Sequence, residues 1–219
     1  MERIRTIVFD YDGTLHDALA IYAPAFHLAY DYLIALGYIP EGSLISDQEI
    51  GSWLGYSSVE TWERFMPSLP ISVRTVCSAM ISEAMIAYIQ SGKARLYEGS
   101  LKVLSALKEA GFELVFLSNC RRAYMEAHQK LFKLENYFSG FYCGEDYGFA
   151  PKHEIFKEIK AMYPGGFAIV GDRFHDMEAA TRYKVMGIGC SYGYGAIEEL
   201  KEAKAIVKDI NEVEALFVG

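Results

Sequence analysis

From Gly99 onward the chain alternates short apolar runs with amphipathic helical ones, and this rhythm constrains the fold more than any other feature of the sequence. Glu113 to Leu117, Phe141 to Cys143, Phe167 to Val170, Met186 to Cys190 and Ala205 to Val207 read as strands. Ser100 to Ala110, Arg121 to Leu134, His153 to Met162 and Met177 to Lys184 read as helices, a small one precedes the last strand, and another ends the chain. The first shows the logic: Leu101, Leu104 and Leu107 share one face, and Gly111 stops it. Short apolar strands separated by helices are the pattern of a parallel sheet covered on both faces. One further strand, Ile4 to Phe9, opens the chain, and a long helical block separates it from the rest. There Leu19, Ala23, Phe26, Tyr30, Leu33 and Leu36 recur at a period near 3.6 and stop at Gly37, with more helical pieces between Asp47 and Gln90. The expected architecture is α/β, three-layer αβα over residues 1–17 and 93–219, with an α-helical domain inserted over 18–92.

The chain has 219 residues, 52% of them hydrophobic, which suffices for a packed core and excludes a disordered chain. Twenty-nine acids against 21 bases give a formal charge of -8, which repels phosphate polymers and anionic membrane surfaces. Neither nucleic acid nor membrane is therefore an expected partner, whereas a small anionic substrate is compatible wherever a local cation cancels the field. Cys77, Cys120, Cys143 and Cys190 show neither a CxxC pair nor metal-ligand spacing, which fits reduced thiols in a cytoplasmic setting. No signal-peptide pattern precedes the first strand. The longest apolar stretch, Ala25 to Ile39, contains His27 and Asp31 and falls short of the ~20 residues of a membrane helix. The sequence carries no signal for an oligomeric state.

Residues able to do chemistry gather at the C-terminal ends of the strands, the edge where open parallel sheets bind ligands. Asp10 and Asp12 follow the first strand, and alternate side chains of an extended or tightly turned segment share a face, so both reach one substrate. Asp172 and Asp176 add two acids at the same edge. Carboxylates this close repel unless a cation or proton intervenes, and an all-oxygen cluster suits a hard cation, Mg2+ where phosphate is the substrate. Each piece has a plainer reading. A lone DxDG is a capped turn, Ser118 and Asn119 by themselves favour a helix N-cap, and Asp176 is as good an N-cap as a metal support. Lys152 opposes the dipole at a helix start unless it reaches an anion, and His175 reads as loop packing. Their joint occurrence at one edge favours a site.

Asp10-Tyr11-Asp12-Gly13-Thr14-Leu15-His16-Asp17, Leu117-Ser118-Asn119, Lys152 and Gly171-Asp172-Arg173-Phe174-His175-Asp176 resemble, in order and spacing, the four motifs of the haloacid dehalogenase superfamily over nearly the whole chain. Tyr192-Gly193-Tyr194-Gly195 and the insertion after the first motif resemble its phosphoglycolate phosphatase-like branch with an α-helical cap domain. The resemblance implies a Rossmann-like core and a Mg2+-dependent phosphatase that hydrolyses a small-molecule phosphomonoester through an aspartyl-phosphate. It implies Asp10 as nucleophile and Asp12 as acid and base, with Ser118, Asn119 and Lys152 binding the phosphoryl group. Asp10, Asp12 (through its backbone carbonyl), Asp172 and Asp176 would surround the metal. Dehalogenases resembling the family lack the second aspartate, which disfavours that reaction here. The chain departs from the pattern at Pro151-Lys152-His153, where many members place proline after the lysine, and at Ala18, where serine is common. A phosphomutase of the β-phosphoglucomutase type and a pyrophosphatase are the alternatives. A non-catalytic phospho-binding protein leaves the full residue set unexplained, and a phospho-accepting signalling domain would have neither Asp12 nor the insertion.

The inserted segment holds seven acids (Asp31, Glu41, Asp47, Glu49, Glu60, Glu63, Glu83) and two strong bases, Arg64 and Arg74. So few cations make a poor receptor for a second anionic group, and the expected substrate is a neutral or sugar-like phosphomonoester rather than phosphoglycolate. Gly51 to Tyr56 resembles the cap segment that faces the active site. Trp53 and Tyr56 there either stack on a sugar or base or, preferably, belong to the cap core.

Overall fold

The computed structural model describes residues 3–218; Met1, Glu2 and Gly219, which the expected division assigns to the core, lie outside the described residues. Six strands, β1 (Ile4–Phe9), β2 (Glu113–Ser118), β3 (Gly140–Cys143), β4 (Gly166–Gly171), β5 (Met186–Cys190) and β6 (Ala205–Val207), form one sheet. Their order is β3-β2-β1-β4-β5-β6, and every neighbouring pair is parallel. Strand β1 is central, and the chain steps outward from it on both sides. This is the order that opens a ligand crevice at the carboxyl ends of the central strands. The fold is thus the Rossmann-like α/β one expected.

Period-2 alternation sorts the strand residues between two faces. Ile7, Phe9, Leu114 and Phe116 pack in one apolar cluster with α5 (Ser100–Glu109), α6 (Arg122–Phe132) and α9 (Asn211–Val218). Val8, Val115, Leu117 and Ile169 pack in the other with α7 (Lys152–Met162) and α8 (Phe174–Arg182). The central strands β1, β2 and β4 are buried on both sides over most of their length, which is why they read as unbroken apolar runs.

Between β1 and α5 lie α1 (Leu19–Ala35), α2 (Asp47–Gly51), α3 (Ser58–Phe65) and α4 (Ile71–Gln90), the helical insert. Phe26 packs on Trp53, Trp62 and Phe65 with ring centroids 5.2, 6.1 and 5.3 Å away. The short α3 is held by a reciprocal cap: Glu60 N donates to Ser57 Oγ, and Ser57 N donates to Glu60 Oε2. The chain enters and leaves the insert as a paired stem, where Asp17 N donates to Arg95 O and Tyr97 N to Leu15 O, both at 2.9 Å. Helix α8 begins at Phe174, three residues early, because Asp176 closes its first turn; the small helix before β6 is a 3-10 turn, Ile197–Leu200. No helix of the described residues is long and apolar enough to cross a membrane, and their four cysteines are free thiols.

Candidate active site

The turn after β1 is set by one carbonyl. Thr14, Leu15 and His16 all donate their N–H groups to Tyr11 O, at 3.2, 2.8 and 2.9 Å. Gly13 makes the turn fit, with φ of +83°, and a Cβ there would overlap the Asp172 carboxylate. The turn therefore presses the loop of β1 against the loop of β4.

At that junction Asp10, Asp172 and Asp176 are 3%, 0% and 2% exposed, and each offers a carboxylate oxygen within 4.8 Å of the others. Lys152 Nζ lies 2.7 Å from Asp10 Oδ1 and 2.7 Å from Asp176 Oδ1, so one ammonium serves two acids. Burial first, then the neighbouring Asp176, raises the Asp172 pKa well above the ordinary carboxylate range. Burial likewise raises Asp10; Lys152 opposes this, and Asp176 and Asp172 add to it. Burial pulls the Lys152 ammonium down, but Asp10 and Asp176 together outweigh it and hold Lys152 above the ordinary lysine value. Asp172 Oδ2 accepts from Tyr194 N (2.7 Å) and Gly195 N (3.3 Å). A Cβ on Gly195 would collide with the Asp172 backbone, which accounts for one glycine of the Tyr-Gly-Tyr-Gly run. Asp10 Oδ2 and Asp172 Oδ1 are buried without a partner. Unpaired acceptors inside an all-oxygen cluster are what a hard cation satisfies.

Asp12 stands apart from that cluster. Its Oδ1 accepts from Tyr124 Oη at 2.7 Å and lies 2.8 Å from His16 Nδ1. Behind them, Tyr11 Oη and His128 Nδ1 are 2.7 Å apart. Burial, then the proximity of His16, pushes the His128 pKa down to about 2, so this ring is neutral.

A cavity of about 150 Å³ opens beside Asp10 and Asp12. Ser118, Asn119, Cys120, Arg121 and Tyr124 line its core side; Tyr22, Trp53, Tyr56, Ser58, Thr61, Ser82 and Met85 are on the insert side. The insert contributes no charged side chain to this wall, and Arg121 is the one cation on it among the described residues. Ser118 and Asn119 do not cap the following helix: α6 starts at Arg122 with Arg121 in the capping position, so both line the cavity, Asn119 with its amide held by Gly55 O. Asp176 does double duty, accepting from Arg173 N through Oδ2 and from Lys152 through Oδ1. Trp53 sits in the insert's aromatic core with one edge on the cavity, and the guanidiniums of Arg64 and Arg173 lie 4.1 and 4.2 Å from the centre of the Tyr56 ring.

Sequence reasoning missed the groups that join the insert to the sheet. Arg173, 2% exposed, donates to Leu54 O and Ser52 O of the insert and to Glu199 Oε2. Asn119 Nδ2 donates to Gly55 O (3.1 Å), and His175 Nε2 lies 3.2 Å from Glu60 Oε1. Tyr194 Oη accepts from Leu19 N and donates to Asp17 Oδ1, both 2.9 Å, and so caps α1 where Ala18 has no hydroxyl to offer. A charged residue beside Asp172 and two tyrosines in a glycine turn were the available signals.

A haloacid dehalogenase-like hydrolase family model matches residues 4–183. The phosphoglycolate phosphatase of Escherichia coli K12 is 24% identical over 238 aligned positions, covering 97% of this chain and 92% of its own length. That of Colwellia psychrerythraea is 22% identical, covering 92% and 91%. Among solved structures, a predicted phosphoglycolate phosphatase of Haemophilus somnus superposes with a TM-score of 0.81 at 19% identity, covering 97% of each chain. CbbY of Rhodobacter sphaeroides, solved in complex with phosphate, gives 0.76 at 20% identity over 96% of each. The family match spans the motif loops whose side chains meet at the carboxyl end of β1, and the chain belongs to the haloacid dehalogenase-like hydrolases.

Proposed function

We propose that this protein is a Mg2+-dependent phosphatase that hydrolyses a small phosphomonoester by way of a phosphorylated Asp10. The reading rests on one observation above all: Asp10 is buried at the cavity floor with a free carboxylate oxygen, in a pit of three acids and one ammonium. Asp10, Asp172 and Asp176, with the Asp12 backbone carbonyl, would hold the ion. When bound, Mg2+ supplies positive charge against the non-bridging phosphoryl oxygens. Asp10 forms the new oxygen–phosphorus bond as the bond to the leaving alcohol breaks, and Asp12 delivers a proton to the departing oxygen. Asp12 then takes a proton from the water that displaces phosphate from Asp10. Lys152, Ser118 and Asn119 bind the transferring group, offsetting the repulsion between carboxylate and phosphate. The leaving group occupies the cavity under the insert, whose uncharged wall supports an uncharged or sugar-like alcohol over glycolate.

The test is phosphate release from a panel of phosphomonoesters with and without Mg2+, beside Asp10→Asn. Turnover that needs Mg2+ and falls about 10³-fold or more in the variant is expected, since nucleophile removal costs at least that much elsewhere. Unchanged turnover in the variant overturns the nucleophile assignment, and an isomerised sugar phosphate in place of free phosphate overturns hydrolysis. Equal or better turnover of phosphoglycolate overturns the leaving-group preference alone.

A further inference from the structure

Both hydrogen bonds to the Asp12 carboxylate fall on the same oxygen. Tyr124 Oη donates to Oδ1 at 2.7 Å, and His16 Nδ1 reaches that atom at 2.8 Å. A carboxylate accepts only, so it selects the His16 tautomer with its proton on Nδ1. Tyr124 and His16 are 6% and 0% exposed, which keeps water from competing for these bonds. They are also walled in. The His128 ring stacks edge-on against His16 and Tyr124, with both centroids 4.4 Å away, and Tyr11 lies over His16 at 5.2 Å. The Tyr11 hydroxyl fixes His128 in turn. Tyr124 and His128 are one helical turn apart on α6, while Tyr11 and His16 flank the turn after β1, so two distant segments build one rigid block.

We infer that Tyr124 and His16 are positioning residues that lock Oδ1 of Asp12 and thereby leave Oδ2 as the sole proton-transferring oxygen toward the leaving group. This deepens the phosphatase reading and rests on it. As the ester oxygen–phosphorus bond breaks, the proton on Oδ2 passes to the departing oxygen. The negative charge left on the carboxylate meets two donors already in place, so the pair acts mainly where charge develops and little in the ground state. General-acid help of this kind contributes about 10²–10⁴-fold, and it matters most for alcohols that are poor leaving groups.

The experiment compares kcat/KM, which reports steps through phosphoryl transfer to Asp10, across phosphomonoesters graded from p-nitrophenyl phosphate to simple alkyl phosphates. Tyr124→Phe removes one hydroxyl and keeps the ring packing. It is expected to lose about tenfold more on the alkyl esters than on the p-nitrophenyl ester. His16→Asn, which keeps an N–H near the Nδ1 position, is expected to retain a leaving-group dependence closer to wild type than His16→Leu does. Equal losses on all esters for Tyr124→Phe overturn the inference, as does identical behaviour of the Asn and Leu variants. If the buried His16 variants fail to fold, Tyr124→Phe decides alone. Asp10→Asn separates the two levels: an active Asp10→Asn removes the phosphatase reading itself, whereas a dead Asp10→Asn with a uniform loss in Tyr124→Phe removes only the positioning role.

Discussion

At Gly13 a single missing methyl group serves both the backbone and the acid pit, because the left-handed φ and the contact with Asp172 coincide there. Gly13→Ala is expected to lose about 1–3 kcal/mol of stability, from left-handed strain of roughly 1–2 kcal/mol and displacement of a buried side chain. Thermal unfolding with and without Mg2+ checks this: the variant should also lose the stabilisation by the ion. Asp10, Asp12, Asp172 and Ser118 were legible in the sequence because they lie at strand ends, which share one edge of the sheet, and Lys152 because a cation at a helix start calls for an anion. The residues around Asp12 were not. Tyr124 lies 112 positions from Asp12, and Tyr194 lies 177 from Asp17. Periodicity records which side of an element is buried, never which remote hydroxyl arrives there.

Among the elements, α3 meets α8 through the contact of Glu60 with His175. Its Glu60 has a pKa lowered to about 2, chiefly by the hydrogen bond from His175, with Ser57 adding to it against the opposing effect of burial. A carboxyl depressed in the folded state stabilises it above the ordinary value of 4.5, and that contribution is lost as pH falls from there toward 2. Glu60→Gln is therefore expected to flatten part of the fall in Tm between pH 4.5 and 2 while leaving its shape above that window unchanged. The carboxylate is 37% exposed, so solvent screening keeps the difference small. A Tm profile of Glu60→Gln parallel to wild type throughout that window counts against the pair. Element existence was readable from apolar spacing, but α8 was placed too late. Its first turn, Phe174 to Asp176, carries side chains chosen for the site and the insert contact rather than for an apolar stripe.

For the molecule as a whole, the acid pit is a standing cost of folding. Three buried carboxylates face one ammonium, so a divalent cation that binds the native state alone should raise stability strongly. At a hundredfold excess over its Kd the gain is about 2.7 kcal/mol, or roughly 5–10 °C in Tm for a chain of this size. Scanning calorimetry with Mg2+ against a chelator measures it. Asp172→Asn should abolish most of the shift, and an undiminished shift there would place the ion elsewhere. That the sheet is parallel followed from the alternation of strands and helices, whereas its strand order was not foreseen. What no pattern conveyed was how the insert seats on the sheet, since Arg173, Asn119 and His175 make that contact through backbone carbonyls and one glutamate scattered over residues 52–60.

His16 also belongs to the stem, bridging Asp12 on one side and Leu96 on the other. The residue whose ring meets the Asp12 carboxylate thus also stands, by its backbone, in the ribbon from which all four inserted helices hang. With Asp12 as the proton donor proposed above, a substitution at His16 would act on the aim of the acid and on the footing of the insert together.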